Sequence, residues 1–589
     1  MRSMTDLQVS SGPLLKGLTC GVILLAVLLG GFQAWSYRHS FYMQDAISYL
    51  DIADAYSRGD FSTAISSYWS PLYSWLIVVA FPILHARPET EAASMKILNF
   101  FIWLVSLYAF SFFIGRFLEF FDCLIRPTLE QNDKLVLSSD LMKLFLWIVF
   151  VCQTLSLCGV YMDTPDLLSC ASLYVSSGLL LRLVHHPDLR GGALFGLILG
   201  VGFYAKSVLF PLGLVYLGTL WLCLRLSRDE SVQHKATSTA TTALLCFCLI
   251  SVPFVGVISA KAGRLTIGDS GRMNYAHFVS KCIPFLQPNQ AGTMLSGCKH
   301  LKHPPALLLK DPQVFEFAEP IGGCFPPWLD SSYWYDGFEI VFDPTAQFVA
   351  TVASISVFVR WFFFQALCGW AVIAMIARQR VYSMTSLFRC APILVPSLAA
   401  LTAYAFVSNN NLLYSSRYFP AYFVLLYAGN LGSLELSRER KSLRAVIVGS
   451  ASTALLFSLM LFAELKDNLQ HGVHSTNVDF NIAKALRSQG ILPGDRVADV
   501  DALRRYYWAH LAGVKIVVEI LDTDAYWQRY AINKDKLNYE LGRLNVKAIV
   551  ARGSSSYFSS HQLPRGWQRL SDTDACIYRL WIDRPAASM

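Results

Sequence analysis

Charge is scarce in this chain. Of its 589 residues only 15% are charged while 54% are hydrophobic, and mean hydropathy is positive. A water-soluble fold of this size cannot hide that much apolar surface, so the composition is that of a membrane protein. In the polar C-terminal tail no glycine-rich phosphate loop opens a helical stretch, which argues against a nucleotide site there. No Ser-His-Asp arrangement is evident, and no internal repeat of the kind many transporters carry. The net charge of +8 is not gathered on one basic face. Lys and Arg fall in short segments between apolar runs, where they set topology instead of binding nucleic acid. There are 14 cysteines, but most, such as Cys152, Cys158, Cys170, Cys246 and Cys248, lie inside apolar stretches and read as core or lipid-facing residues.

What the chain has in quantity is apolar runs of membrane-crossing length. Twelve candidate spans are legible: Leu14–Trp35, Leu72–His85, Ile97–Gly115, Leu141–Tyr161, Leu167–Val184, Ala193–Ala205, Val208–Arg225, Thr239–Ala260, Val357–Ala377, Ala391–Val407, Tyr418–Leu434 and Ala445–Glu464. The first is too long for a cleaved signal and lacks a small-residue cleavage pattern, so it reads as a retained anchor. The basic segments Arg225–Lys235, Arg378–Arg389 and Ser437–Arg444 belong in the cytoplasm by the positive-inside rule. Asp163, Lys206, the loop 261–350, the Asn409–Arg417 loop and the C-terminal tail then lie outside. An inner N-terminus and an outer C-terminus require an odd number of crossings. A hidden crossing in 71–99 or 116–143 would bring the number to about thirteen, as expected for a mainly α, polytopic fold.

The first outer loop, 37–70, is richer in acids and aromatics than a connector needs. Its spacing suits a helix lying along the membrane surface, with Asp45 and Asp54 on opposite faces because nine steps of about 100° make two and a half turns. A carboxylate at an apolar boundary suits a general base, and solvated loop charge explains the same residues equally well. Met162-Asp163-Thr164-Pro165-Asp166 reads as the start of a helix with a capping residue and Pro in the first turn. Lys206, alone between two apolar runs, is either functional or snorkelling. Arg417-Tyr418 at a helix start is either a phosphate-binding fork or an interfacial anchor with its aromatic partner. In the long loop, Arg272 and His277 are second-tier polar candidates. Cys298, His300 and His303 match no zinc spacing, so no metal ligand is expected there. Two of Cys282, Cys298 and Cys324 could pair if that loop is extracytoplasmic.

Asp45 and Tyr49, then Arg58-Gly59-Asp60, then Trp69-Ser70-Pro71-Leu72-Tyr73 leading into the next helix, resemble the GT-C superfamily of membrane glycosyltransferases, in its protein-mannosyltransferase and aminoarabinose-transferase-like branch. The resemblance extends over the membrane half of the chain through Asp163 or Asp166, Lys206 and Arg417-Tyr418. It implies a catalytic Asp at Asp45, an acid facing the site at either Asp163 or Asp166, and phosphate contacts at Lys206, Arg417 and Tyr418, with Tyr49 as a further substrate contact; Arg272, from the long loop, is a second-tier candidate for carrier or sugar contact. The implied donor is a polyprenyl-phosphate sugar and the acceptor a glycan, lipid or protein outside the membrane. No cofactor is required, although some relatives use a divalent ion.

The expected organisation is a membrane domain over 1–464, including loops 37–70 and 261–350, followed by a soluble α/β domain over 465–589. The tail alternates strand-like and helical segments: Arg496–Val500, Leu503–Ala512, Val514–Ile520, Lys534–Leu544, Val546–Ala551 and Cys576–Trp581. The lack of a retention signal and the scarcity of glycosylation sequons make a bacterial inner membrane the default expectation, and an endoplasmic reticulum home would make the carrier dolichyl phosphate. The rival readings are a transporter or lipid flippase, or a non-catalytic envelope-assembly protein of the same fold. Against the transporter, the candidate acids cluster in loops instead of near the midplane.

Overall fold

The computed structural model describes residues 12–280, 301–317, 322–338, 340–360, 373, 382–407, 416–553 and 563–580. The chain forms two compact units. One contains Met1–Ser36, Lys96–Ser280 and Phe342–Val473, and the other Tyr37–Met95, Lys281–Val341 and His474–Met589.

The first unit is helical. Among the described residues, six helices are long and apolar enough to cross a membrane, and shorter apolar helices such as Leu189–Ala205 and Leu209–Arg225 accompany them. Burial sorts inner from outer helices. Asp166–His185 and Ser139–Leu157 are 72% and 67% buried over their apolar windows, whereas Gly12–Ser36 is 17% buried and turns its leucines outward, as a lipid-facing helix does. Aromatic rings fill the centre: Phe110 stacks on Phe150 at 4.2 Å, and Trp103 and Tyr174 close around them. Helices Leu189–Ala205 and Glu230–Ala262 approach so closely that a Cβ at Gly196 would fall onto the Ala243 carbonyl, which explains a glycine there.

One of the two places expected to hold a hidden crossing contains a short helix. The helix Leu72–Ile83 has 12 residues, about 18 Å at 1.5 Å per residue, shorter than a hydrocarbon core of about 30 Å. The other place reserved for a hidden crossing continues the helix Glu91–Phe120 through a π-helical turn, Phe121–Ile125, to Gln131, and then returns with Leu135 N–H donating to the Leu436 carbonyl.

The second unit is built on a seven-stranded sheet: β1 (Ala306–Lys310), β2 (Gln313–Glu316), β3 (Arg496–Val500), β4 (Lys515–Ile520), β5 (Val546–Arg552), β6 (Trp567–Arg569) and β7 (Ala575–Arg579), in the order β1-β2-β4-β3-β5-β7-β6. β4, β3 and β5 are parallel, and the flanking pairs are antiparallel. The helix Thr523–Arg543 carries the chain from β4 across β3 to β5, started by the Asp522 side chain, which accepts from Ala525 N–H. Tyr526, Trp527, Leu537 and Leu541 of this helix bury against Val500, Ile520 and Ile549. The long loop thus contributes to the sheet: β2 pairs with β4, Phe315 opposite Glu519. Segments 37–95 and 281–341 accordingly cluster with the C-terminal residues, a different grouping from the expected one.

Candidate functional site

In the helical unit, two cations far apart in sequence converge on one carboxylate. Asp166 is the first residue of its helix, 3% exposed, and accepts a hydrogen bond from Thr164 Oγ1 at 2.7 Å. Lys206 follows the helix Leu189–Ala205 with extended backbone angles, so the chain leaves the helix there and the side chain reaches Asp166, with which it forms an ion pair. Arg417, in a single 3₁₀ turn before the helix Pro420–Gly432, brings Nε within 3.5 Å of Asp166 Oδ2. Tyr418 presents its ring to Lys206, whose Nζ is 3.6 Å from the ring centre, and its hydroxyl accepts from Arg417 Nη2 at 3.1 Å. The Tyr418 ring in turn stacks on Tyr404 at 5.6 Å. Lys206 and Arg417 against Asp166 leave one net positive charge in a narrow crevice that Ser169, Leu209 and Tyr422 also line. Such an arrangement is suited to an anion.

The two acids of the 162–166 motif part company. Asp163 is buried and ion-paired with Lys96, while Asn99 Nδ2 donates to its other oxygen at 3.0 Å. Lys96 also donates to the Tyr161 carbonyl at 3.1 Å. Neither Lys96 nor Asn99 was singled out from sequence. The signal was present, since a lysine opening an apolar run is costly unless paired. Arg272 is half-buried on the short helix Ser270–Phe278, whose first residue hydrogen-bonds Ser207, the neighbour of Lys206, at 2.7 Å. Residues 409–415 of the expected 409–418 motif, with Cys282, Cys298 and His300, lie outside the described residues.

In the second unit, Asp45 is half-buried at the start of the helix Asp45–Ser57. Nine of the thirteen residues of this helix are buried, so it is held on more than the one face that an amphipathic surface helix needs. Tyr49 is 5% exposed and meets Trp69 and Tyr73 edge to face at 5.1 and 5.2 Å. Asp54 is exposed and sits 4.0 Å from Arg58. Asp45 lies near Tyr506, whose hydroxyl is pushed well above its ordinary pKa by burial first, then by Cys324 and Asp45.

The acid that sequence reasoning passed over is Asp51. It is 7% exposed and accepts from Cys324 N–H at 2.7 Å through one oxygen, and lies 2.6 Å from His510 Nδ1 through the other. His510 Nε2 is 3.2 Å from Glu91, which also accepts from the Tyr507 hydroxyl at 3.0 Å. Burial opposes charge on the His510 ring, but Glu91 and Asp51 outweigh it and hold the imidazolium well above the ordinary histidine value. Gly323, at φ 61°, lets the carboxylate in: a Cβ there would lie 2.5 Å from Asp51 Oδ2.

Neither known protein families nor curated proteins match this sequence. Solved structures do. The chain is similar in fold to known membrane glycosyltransferases. ArnT from Cupriavidus metallidurans in the apo state shares 11% identity at a TM-score of 0.49, with 95% of this chain and 97% of that one covered. The same protein bound to undecaprenyl phosphate aligns at 10% identity and 0.47, covering 96% and 98%. The oligosaccharyltransferase of Archaeoglobus fulgidus aligns at 12% and 0.45, covering 91% of this chain and 69% of that one.

Proposed function

We propose that this protein transfers a sugar from a polyprenyl-phosphate carrier to an extracytoplasmic glycan, lipid or protein. The observation that supports this reading best is the convergence of Lys206 and Arg417 on the single buried carboxylate of Asp166, with Tyr418 beside both cations. Two cations on one acid at a membrane helix end form a seat for a lipid phosphate, whose apolar tail the surrounding helices would accept. In this reading Asp45 removes the proton from the acceptor hydroxyl as its oxygen attacks the anomeric carbon. The bond from that carbon to the phosphate oxygen breaks, the cations hold the departing phosphate, and the sugar inverts. Asp163, locked by Lys96 and Asn99, holds the start of the Asp166 helix.

The test is transfer from a labelled polyprenyl-phosphate sugar by purified protein. Asp45→Asn keeps shape and removes the base, so turnover should fall at least about 100-fold with carrier binding retained. A residual rate above about a tenth of normal excludes Asp45 as the base. Orientation is tested by reporter fusions, expected in the cytoplasm after Arg228 and Arg440 and outside after Asp499. A cytoplasmic signal after Asp499 would overturn the extracytoplasmic acceptor.

A further inference from the structure

We infer that Asp51, Cys324 and His510 form a binding site for a divalent metal ion of the zinc class, which ties the Asp45–Ser57 helix to the C-terminal α/β fold. One potential ligand atom from each of these residues lies within 4.8 Å of the others. They come from three segments far apart in the chain, with Cys324 273 positions and His510 459 positions from Asp51. All three are shielded: Asp51 is 7% and Cys324 4% exposed, and the His510 side chain 5%.

Each partner is delivered by a defined piece of backbone. Cys324 is held by its carbonyl, which accepts from Ile516 N–H of β4 at 2.9 Å, and His510 sits on the helix Tyr507–Ala512 leading into that strand. Asp51 lies mid-helix, and Gly323 clears the space for its carboxylate. The Cys324 thiol also faces Asp51.

The donor set chooses the ion. Oxygen, sulfur and imidazole nitrogen together suit zinc or a neighbouring transition metal, whereas calcium and magnesium take oxygen alone. Glu91 completes the arrangement from the far side: at 3.2 Å from Nε2 and braced by Tyr507, it orients the ring as a carboxylate behind a metal-bound histidine does. Charge points the same way. Asp51 and Glu91 lie against the two nitrogens of the His510 ring, and with Cys324 as a thiolate three negative groups would surround a divalent ion. A bound ion would lengthen the 2.6 Å contact between Asp51 and Nδ1 to roughly 3.2 Å, the spacing of two ligand atoms each about 2 Å from a tetrahedral ion. Three protein ligands leave a fourth position for water.

The experiment uses the full chain purified in detergent without chelator. It should retain about one zinc per chain, and the stripped protein should bind Co²⁺ with a thiolate-to-cobalt charge-transfer band in the near ultraviolet. Added zinc should raise its melting temperature. Cys324→Ser should abolish the band, His510→Gln should weaken zinc at least 10-fold, and Glu91→Gln should weaken it about 10- to 100-fold. A stripped wild-type chain that shows neither the cobalt band nor a zinc-dependent melting shift overturns the site, leaving His510 an imidazolium held between two carboxylates. Zinc affinity unchanged from wild type in both Cys324→Ser and His510→Gln overturns it too, by placing the metal elsewhere. Because the cobalt and melting measurements need only the wild-type chain, a variant that fails to fold does not remove the test.

Discussion

Replacing Arg417 separates a phosphate seat from a mere anchor at the membrane surface. Its Nε lies 3.5 Å from Asp166 Oδ2 and its Nη2 donates to the Tyr418 hydroxyl at 3.1 Å, with 7% of the side chain exposed. In Arg417→Lys the charge remains and the planar fork is lost. A charge-assisted hydrogen bond contributes roughly 1.5–3 kcal/mol, so losing one to the carrier phosphate weakens binding about 10- to 150-fold. Arg417→Ala goes further. With one cation removed, Lys206 and Asp166 form a neutral pair, so the fold should survive while the seat loses its net charge and the carrier its affinity. The assay is carrier affinity and turnover of both variants in nanodiscs, with melting temperature as the control for folding. Near-normal binding by the Lys variant would refute the reasoning, because both long cations snorkel equally well to headgroups. Lys206 would then remain the principal phosphate contact.

Lys96→Met should destabilise the protein by roughly 3–5 kcal/mol, since it leaves Asp163 buried without its cation, and Lys96→Met with Asp163→Leu should recover much of that loss. A single variant that melts with the wild type would show that the pair contributes nothing. Asp499 is 2% exposed, and burial, then Asp501 and Glu519, hold its carboxyl well above the usual range. A carboxyl raised in the folded state supports folding while protonated. That support is complete below the unfolded pKa of about 4 and is lost as pH rises through the folded value. Asp499→Asn should therefore gain about 1–3 kcal/mol at neutral and alkaline pH, with the gain shrinking toward acid in denaturant melts. A pH-independent difference would remove Asp499 as the titrating group.

Much of the architecture was legible because its causes are local. Apolar run length marks membrane helices whatever they pack against, and in the tail the alternation of β3, β4, β5 and β7 with helical periods showed an α/β fold. Lys206 and Arg417 stood out because a cation next to an apolar run carries its cost in the sequence. What stayed hidden depends on partners far away. β1 and β2 are short, and they become strands of this sheet only through the pairing of β2 with β4, some two hundred residues on. Asp51 looked like one more loop acid beside Asp45 and Asp54. Only the fold brings Cys324, His510 and Glu91 around it, and only the fold assigns Asp163 to Lys96 and Asp166 to Lys206 and Arg417. The sequence by itself thus determined which segments prefer lipid, helix or strand, since those preferences belong to the residues. Which charges meet was decided by tertiary structure, because a buried charge takes its character from neighbours that sequence spacing does not place.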